Sequence, residues 1–107
     1  MAEIKLFVDD LRDPPEGWHL ARTVTEAIRV LATAPVRVAE VSVDHDITHD
    51  GRDCPETFEP VVRYIALMPP GTRPDKAVIH TANVVQAGKL KQILADAGIK
   101  AEANLAR

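Results

Sequence analysis

Short apolar strands alternate with amphipathic helical segments along this chain, and no other feature limits its fold so strongly. Ile4–Val8 is rich in β-branched and aromatic residues, and residues 36–43 and 77–80 have the same character. Apolar residues recur with helical spacing between and after these strands, at residues 24–33, 58–68 and 84–97. Strands that alternate with helices predict an α/β fold of three layers, in which both faces of a parallel sheet are covered.

Turn and cap signals set the boundaries around the first helix. Thr23 followed three residues later by Glu26 is a capping box, which predicts that a helix begins at Val24. Residues 11–17 contain two prolines and a glycine, so this segment cannot form the interior of a helix and is predicted to be a loop. A short strand is expected at residues 18–22.

The later boundaries follow from similar signals. The polar residues 47–53 predict a loop, and Pro55 suits the first turn of the second helix. Gly98 is a natural terminator for the third helix, and residues 99–105 are expected to form a last, weak strand. The prediction therefore contains five strands and three helices.

The composition limits the class of protein. A chain of 107 residues predicts a single domain, here residues 1–107. Its formal net charge of −3 gives no basic surface for nucleic acid, and no apolar run is long enough for a membrane span. Cys54 is the chain's one cysteine, which excludes an internal disulfide and a thiolate-rich zinc site. We expect a cytoplasmic protein, and the sequence leaves its oligomeric state open.

Polar side chains follow three of the predicted strands directly. They form three groups in the sequence: Asp9-Asp10, Asp44-His45-Asp46 and His80-Thr81-Ala82-Asn83. In open parallel sheets, ligands bind outside the carboxyl ends of the strands. We therefore expect the three groups to meet at one edge of the sheet, although they lie far apart in the sequence.

Three crowded carboxylates, Asp9, Asp10 and Asp44, would repel one another unless a cation neutralised them. Ligands that are all oxygen atoms suit Mg²⁺ or Mn²⁺, which bind through a few carboxylates together with a phosphate. His45 and His80 could transfer protons near neutral pH. The sequence thus predicts a magnesium-class site with acid–base groups beside it.

Phosphate is the ligand that the remaining polar residues fit. Thr81 offers a hydroxyl, Asn83 an amide and Arg12 a planar guanidinium that matches phosphate oxygens in pairs. Arg22 is an equal candidate for this role, and a solvated surface position remains open for both arginines. A purely structural, hydrogen-bonded role remains open for His80.

Other motif interpretations compete with this one. Asp46 to Gly51 is similar to a calcium-binding loop, but Thr57 occupies the twelfth position, where that loop needs a glutamate. Residues 44–48 resemble the Asp-x-Asp-x-Thr motif of haloacid dehalogenase phosphatases, in which the motif follows the first strand. A nuclease of the topoisomerase-primase type would need a glutamate where Asp9 stands.

The chain resembles the receiver domain of two-component response regulators over nearly its whole length. The resemblance rests on Leu6-Phe-Val-Asp9-Asp10, Thr-Glu26-Ala-Ile, Val-Ser-Val-Asp44 and Val-Ile-His-Thr81-Ala82. The resemblance implies a flavodoxin-like sheet of order 2-1-3-4-5. It also implies that Asp9 and Asp10 bind the metal, that Asp44 accepts a phosphoryl group and that Thr81 contacts that group. Two features depart from the pattern. The Pro-rich loop replaces the usual first helix, and the usual lysine near the end of the fifth strand has no counterpart.

The chain, including the segments in which it departs from ordinary receivers, is similar to one receiver-like family, named for cyclic-phosphate processing. Its resemblance rests on the combination of Asp9-Asp10-Leu-Arg12-x-Pro-Pro15-x-Gly17-Trp18 with Asp44-His45-Asp46 and His80-Thr-Ala-Asn83. It implies a metal-dependent phosphoesterase that acts on cyclic or related phosphates, with a small phosphorylated ligand as its partner. The alternative is a non-catalytic or phosphoaspartate receiver that serves as a signalling module.

Overall fold

A computed structural model of the chain describes residues 4–10, 12–34, 37–44, 46–49, 52–81 and 84–104; for residues 46–49, 52–56 and 104 it describes the backbone alone. The strands are β1 (Ile4–Val8), β2 (His19–Ala21), β3 (Val38–Val43), β4 (Asp46–His49), β5 (Arg52–Thr57), β6 (Lys76–His80) and β7 (Ala101–Asn104). The helices are α1 (Val24–Thr33), α2 (Glu59–Leu67) and α3 (Val84–Asp96), and a short 3-10 turn spans Pro70–Thr72. None of these helices has the length and apolar character that a membrane crossing requires.

Five of the strands form one parallel sheet in the order β2-β1-β3-β6-β7. When its strands are counted in chain order, this is the predicted order 2-1-3-4-5, and the flavodoxin-like receiver fold is confirmed. The chain moves outward in one direction from β1 to β2 and in the other direction from β3 onward. Two adjacent strands, β1 and β3, therefore form the centre of the sheet, and the polar residues that follow them lie next to each other.

One face of the sheet carries the apolar core. Leu6, Val8, Val41, Val43 and Ile79 project from it and share a single buried cluster with residues of all three helices. The connections from β2 to β3, β3 to β6 and β6 to β7 all step in the same direction across the sheet. Because such crossovers are right-handed, their three helices lie on the same face.

The opposite face is covered differently. Phe7, Ser42 and His80 alternate with the core residues along their strands and are buried on this second face. Among the described residues, the layer over this face is the loop of residues 12–18 rather than a helix. The predicted replacement of the first helix by a Pro-rich loop therefore leaves a thin second layer.

The segment between β3 and α2 differs from the sequence-based expectation. Residues 47–53 were expected to be a loop, but β4 and β5 pair as an antiparallel hairpin. Pro55 lies in β5, and α2 begins at Glu59, so the expectation that Pro55 starts this helix is wrong. The hairpin extends the chain at the carboxyl ends of the strands, directly after Asp44. Polar strands of this kind carry no apolar period that would reveal them in the sequence.

The helix boundaries agree more closely with the sequence. Thr23 caps α1, and its hydroxyl accepts a hydrogen bond from the amide of Glu26 at 3.1 Å. At the end of α3, Gly98 has a φ of +81°. The amides of Gly98 and Ile99 donate to the carbonyls of Ala95 and Leu94, both at 2.9 Å, which is the Schellman arrangement.

Candidate functional site

Main-chain hydrogen bonds continue past the ends of β1 and β3 and place two carboxylates side by side. The amide of Asp9 donates to the carbonyl of Ala21 at 3.1 Å, and the amide of Asp44 donates to the carbonyl of Val8 at 2.9 Å. Asp9 and Asp44 therefore follow adjacent parallel strands at the same edge of the sheet, which we call the carboxyl rim. The backbone fixes this arrangement before any side chain contributes to it.

Asp9, Asp10 and Asp44 form an acidic cluster at the carboxyl rim. One carboxylate oxygen from each residue lies within 4.8 Å of those from the other two. Asp9 is buried, with 1% of its surface exposed, whereas Asp10 and Asp44 are partly exposed. A set of donors made only of carboxylate oxygens, open to solvent on one side, fits a hard cation such as Mg²⁺ that retains several waters.

The carboxylate of Asp9 is held by donors on both of its oxygens. The amide of Arg12 donates to Oδ1 at 2.9 Å, and Nε2 of His80 lies 3.0 Å from Oδ2. A carboxylate can only accept, so His80 is the donor in this contact. Two donors on different elements fix the plane of the Asp9 carboxylate.

The side chain of His80 is buried among the described residues. It is 2% exposed, its Nδ1 lies 2.6 Å from the hydroxyl of Ser42, and its ring stacks on that of Phe7 at 4.6 Å between centroids. The edge of Trp18 packs against Phe7 at 6.3 Å between centroids. The Pro-rich loop therefore covers Phe7 with Trp18, and Phe7 in turn covers His80.

Ser42, His80 and Asp9 contain the residue types of a serine-hydrolase triad, but they are connected in the opposite sense. In such triads the serine contacts Nε2 and the aspartate contacts Nδ1. Here Ser42 contacts Nδ1 and Asp9 contacts Nε2, and Ser42 is only 8% exposed. A serine that substrate cannot reach does not act as a nucleophile, so this hydrogen-bond chain serves another purpose.

The two arginines that the sequence offers equally as phosphate ligands, Arg12 and Arg22, make different contacts in the structure. Arg22 donates to the carbonyl of Arg12 at 2.9 Å and to that of Asp9 at 3.4 Å, and it contacts Asp13 at 3.3 Å. Its guanidinium therefore holds the loop. Nη1 of Arg12 makes no hydrogen bond to the described residues, but it forms an ion pair with Oδ2 of Asp9 at 3.8 Å, and the Arg12 side chain is 40% exposed. The partly exposed guanidinium of Arg12, beside the acidic cluster, is suited to an incoming phosphate oxygen.

The remaining predicted site residues are Thr81, His45 and Asn83. Thr81 is buried directly after β6, at the carboxyl rim. His45 and Asn83 lie outside the described residues, so their predicted roles in proton transfer and phosphate binding stay predictions. Sequence reasoning missed Ser42 as a partner of His80. The available signal was a lone hydroxyl between two valines of a buried strand.

The sheet order, the acidic cluster at the carboxyl rim and the loop in place of a first helix define a receiver-like domain. The family model for the cyclic-phosphate processing receiver domain matches residues 4–96. The chain therefore belongs to the cyclic-phosphate processing receiver family, as its sequence indicated. No curated protein and no solved structure matches it significantly.

Proposed function

We propose that this domain is a metal-dependent phosphoesterase that opens cyclic phosphates at the acidic cluster. The observation that carries the proposal is the convergence of three carboxylates beside the partly exposed guanidinium of Arg12. Carboxylates alone would repel an anionic substrate, and a guanidinium alone would not bind a metal ion. Their combination fits a phosphate that enters together with a divalent cation, and membership of the family supports cyclic phosphates as the substrate class.

Asp9, Asp10 and Asp44 would hold Mg²⁺ or Mn²⁺. The ion, when bound, would stabilise the charge that develops on the phosphate and lower the pKa of a water molecule. Arg12 would donate to a non-bridging phosphate oxygen, and Thr81, which follows β6 at the same rim, is the predicted hydroxyl contact. Asn83 is the predicted amide contact.

The proposed reaction is hydrolysis of a cyclic phosphodiester. Water attacks phosphorus and forms one P–O bond while one ring P–O bond breaks. The water loses a proton to a base of the site, and the departing ring oxygen gains one, which leaves a phosphomonoester and a free hydroxyl. His45 or His80 is predicted from the sequence to transfer these protons; in a variant of the mechanism Asp44, which follows β3 at the carboxyl rim, attacks phosphorus itself.

The test uses purified protein, Mg²⁺ and a panel of five- and six-membered cyclic phosphodiesters, with the product followed by phosphorus NMR. We expect a phosphomonoester from at least one ring size. Asp10→Asn should abolish turnover and weaken Mg²⁺ binding measured by calorimetry. Asp75→Asn is the matched control, since Asp75 is an exposed carboxylate paired with Arg37 away from the acidic cluster. Unchanged Mg²⁺ affinity in Asp10→Asn would count decisively against the proposed site.

A second candidate is a phosphoaspartate receiver without hydrolytic activity. It is favoured by the position of Asp44 at the end of β3 and of Thr81 at the end of the neighbouring β6, where receivers place their phosphorylated aspartate and hydroxyl residue. Incubation with acetyl phosphate and Mg²⁺, followed by intact mass measurement, separates the two candidates. A stable phosphoryl adduct that Asp44→Asn abolishes would favour the receiver, and turnover without an adduct would favour the esterase.

A further inference from the structure

The chain Ser42–His80–Asp9 links two buried residues to one member of the acidic cluster. Its contacts measure 2.6 Å between Oγ of Ser42 and Nδ1 of His80 and 3.0 Å between Nε2 of His80 and Oδ2 of Asp9. All three residues are buried, at 8%, 2% and 1% exposure. Burial keeps the His80 ring away from a substrate at the rim, so direct proton transfer to that substrate does not fit its surroundings.

We propose that His80 is a positioning residue for the metal ligand Asp9, and that Ser42 fixes the ring of His80 for this task. The proposal rests on the proposed function for its ligand, a divalent cation. It assigns His80 a different role from the proton transfer predicted from the sequence. It also extends the site to a residue on β3 that makes no described contact with the acidic cluster itself.

The argument starts from the donors and acceptors. Asp9 can only accept, so Nε2 of His80 must carry a hydrogen, and in the neutral ring Nδ1 is then an acceptor for the hydroxyl of Ser42. The stacking contact with Phe7, at an interplanar angle of 7°, prevents the ring from tilting. These contacts therefore favour one tautomer and hold the orientation of the ring, and only 2% of His80 is exposed.

The fixed ring of His80 in turn holds the carboxylate of Asp9. With the Arg12 amide on Oδ1 and His80 on Oδ2, the carboxylate is held in the position that brings an oxygen within 4.8 Å of those of Asp10 and Asp44. Outer-shell partners of metal ligands orient them, and their loss weakens metal binding by about 10- to 100-fold. Asp10 and Asp44 are partly exposed, so we expect Asp9 to be the most rigidly held of the three metal ligands.

A pair of variants of His80 tests the proposal. His80→Gln can place an amide N–H near the former Nε2 and so keep the donor to Asp9, whereas His80→Asn retains a polar group only near the former Nδ1, towards Ser42. Mn²⁺ affinity of the full chain is measured by electron paramagnetic resonance of the free ion. We expect His80→Asn to bind Mn²⁺ about 10- to 100-fold more weakly, and His80→Gln to stay within about threefold of the wild type. Ser42→Ala should lose roughly two- to tenfold, as expected for one neutral hydrogen bond.

Two controls keep the outcomes separate. His19→Gln, on an exposed position of β2, should leave Mn²⁺ affinity unchanged. Thermal unfolding identifies variants that are merely unstable. A purely structural role for His80 would lower the stability of both His80 variants and leave the Mn²⁺ affinity of the folded protein unchanged, which would overturn the proposal. Equal losses of affinity in His80→Gln and His80→Asn would also overturn it.

Nitrogen NMR of the metal-free protein tests the hydrogen-bond chain without relying on a metal. We expect the His80 ring to show a protonated Nε2 and an unprotonated, hydrogen-bonded Nδ1, with its signals identified by their loss in His80→Gln. A ring protonated at Nδ1 alone would contradict the proposed chain. If the wild type bound no Mn²⁺ while the NMR pattern was as expected, the proposed function and the metal-positioning role would fail together, and the hydrogen-bond chain alone would stand.

Discussion

At the scale of single residues, the site depends on how each charged group is paired. Asp9 is almost fully buried and has hydrogen-bond donors from the backbone and from a buried histidine. Arg22 donates to the carbonyls of Arg12 and Asp9, whereas Nη1 of Arg12 makes no hydrogen bond to the described residues and is ion-paired with Asp9. Two arginines with the same chemistry therefore have different surroundings: Arg22 binds the main chain of the loop, whereas Arg12 lies against the acidic cluster.

This difference predicts the effect of Arg12→Lys. Lysine keeps the positive charge but loses the planar pair of donors, so we expect the affinity for inorganic phosphate in the presence of Mg²⁺ to fall by about tenfold or more, consistent with a hydrogen bond to a charged group. Mg²⁺ affinity without phosphate should change little. Isothermal titration calorimetry measures both, and Arg29→Lys on the exposed face of α1 is the control. An equal loss of Mg²⁺ affinity would show that Arg12 acts on the carboxylates rather than on phosphate.

At the scale of elements, local backbone geometry determines where α3 ends. Gly98 lies at C′ of a Schellman motif with a φ of +81°. This conformation is strained for an L-residue that carries a side chain. Ile99, the next residue, packs against the core. The turn therefore directs the chain from α3 back into β7.

Two glycines of the same segment should respond to alanine with opposite signs. Gly98→Ala should destabilise the protein by about 1 kcal/mol, because alanine is strained at positive φ. Gly88 is exposed within α3 and a Cβ there meets no other atom within 4 Å, so Gly88→Ala should stabilise by roughly 0.5–1 kcal/mol. Urea unfolding measures both changes. Equal effects of the two substitutions would mean that backbone conformation does not decide the end of the helix.

At the scale of the whole molecule, ion pairs connect helices that pack on the same face of the sheet. Glu59 at the start of α2 contacts Arg63 at 2.9 Å and Lys89 of α3 at 3.4 Å. The hydrogen bond from Arg63 lowers the pKa of Glu59 below its ordinary value; burial opposes this shift, and the charge of Lys89 adds to it. The charged form of Glu59 is therefore favoured in the folded protein.

The sign of this pKa shift predicts a pH dependence. A carboxyl group whose pKa is lower in the folded state contributes stability above its unfolded pKa and loses that contribution as the pH falls through the folded pKa. We expect Glu59→Gln to lower the free energy of unfolding at pH 7 by less than about 1 kcal/mol, as is usual for surface pairs. The difference from the wild type should shrink as the pH falls below about 4, the ordinary range of glutamate.

Urea unfolding followed by the fluorescence of Trp18, the chain's one tryptophan, measures this difference. Added salt should reduce it, because salt screens exposed charges. Glu16→Gln in the exposed loop is the control for the loss of one negative charge. A difference between Glu59→Gln and the wild type that stayed constant from pH 7 to pH 3 would show that the ion pairs do not produce it.

The sequence by itself determined the features that arise from local patterns. The alternation of strands and helices, the capping box at Thr23 and the glycine after α3 each depend on residues a few positions apart. The sequence also placed acids at the ends of two strands, and parallel strands direct such ends to a common rim. The meeting of Asp9, Asp10 and Asp44 could therefore be predicted, whereas the sheet order was implied by the resemblance to receiver domains.

Only the tertiary structure decided which polar groups pair. Ser42 and His80 are 38 positions apart, and His80 and Asp9 are 71 apart. Their contacts depend on the register of three strands and on a ring stacked on Phe7, neither of which has a local signature. The β4–β5 hairpin was missed for a related reason, because its strands are polar and pair with each other rather than with the core. Local spacing determines which face a residue occupies, whereas its partners depend on how distant segments pack.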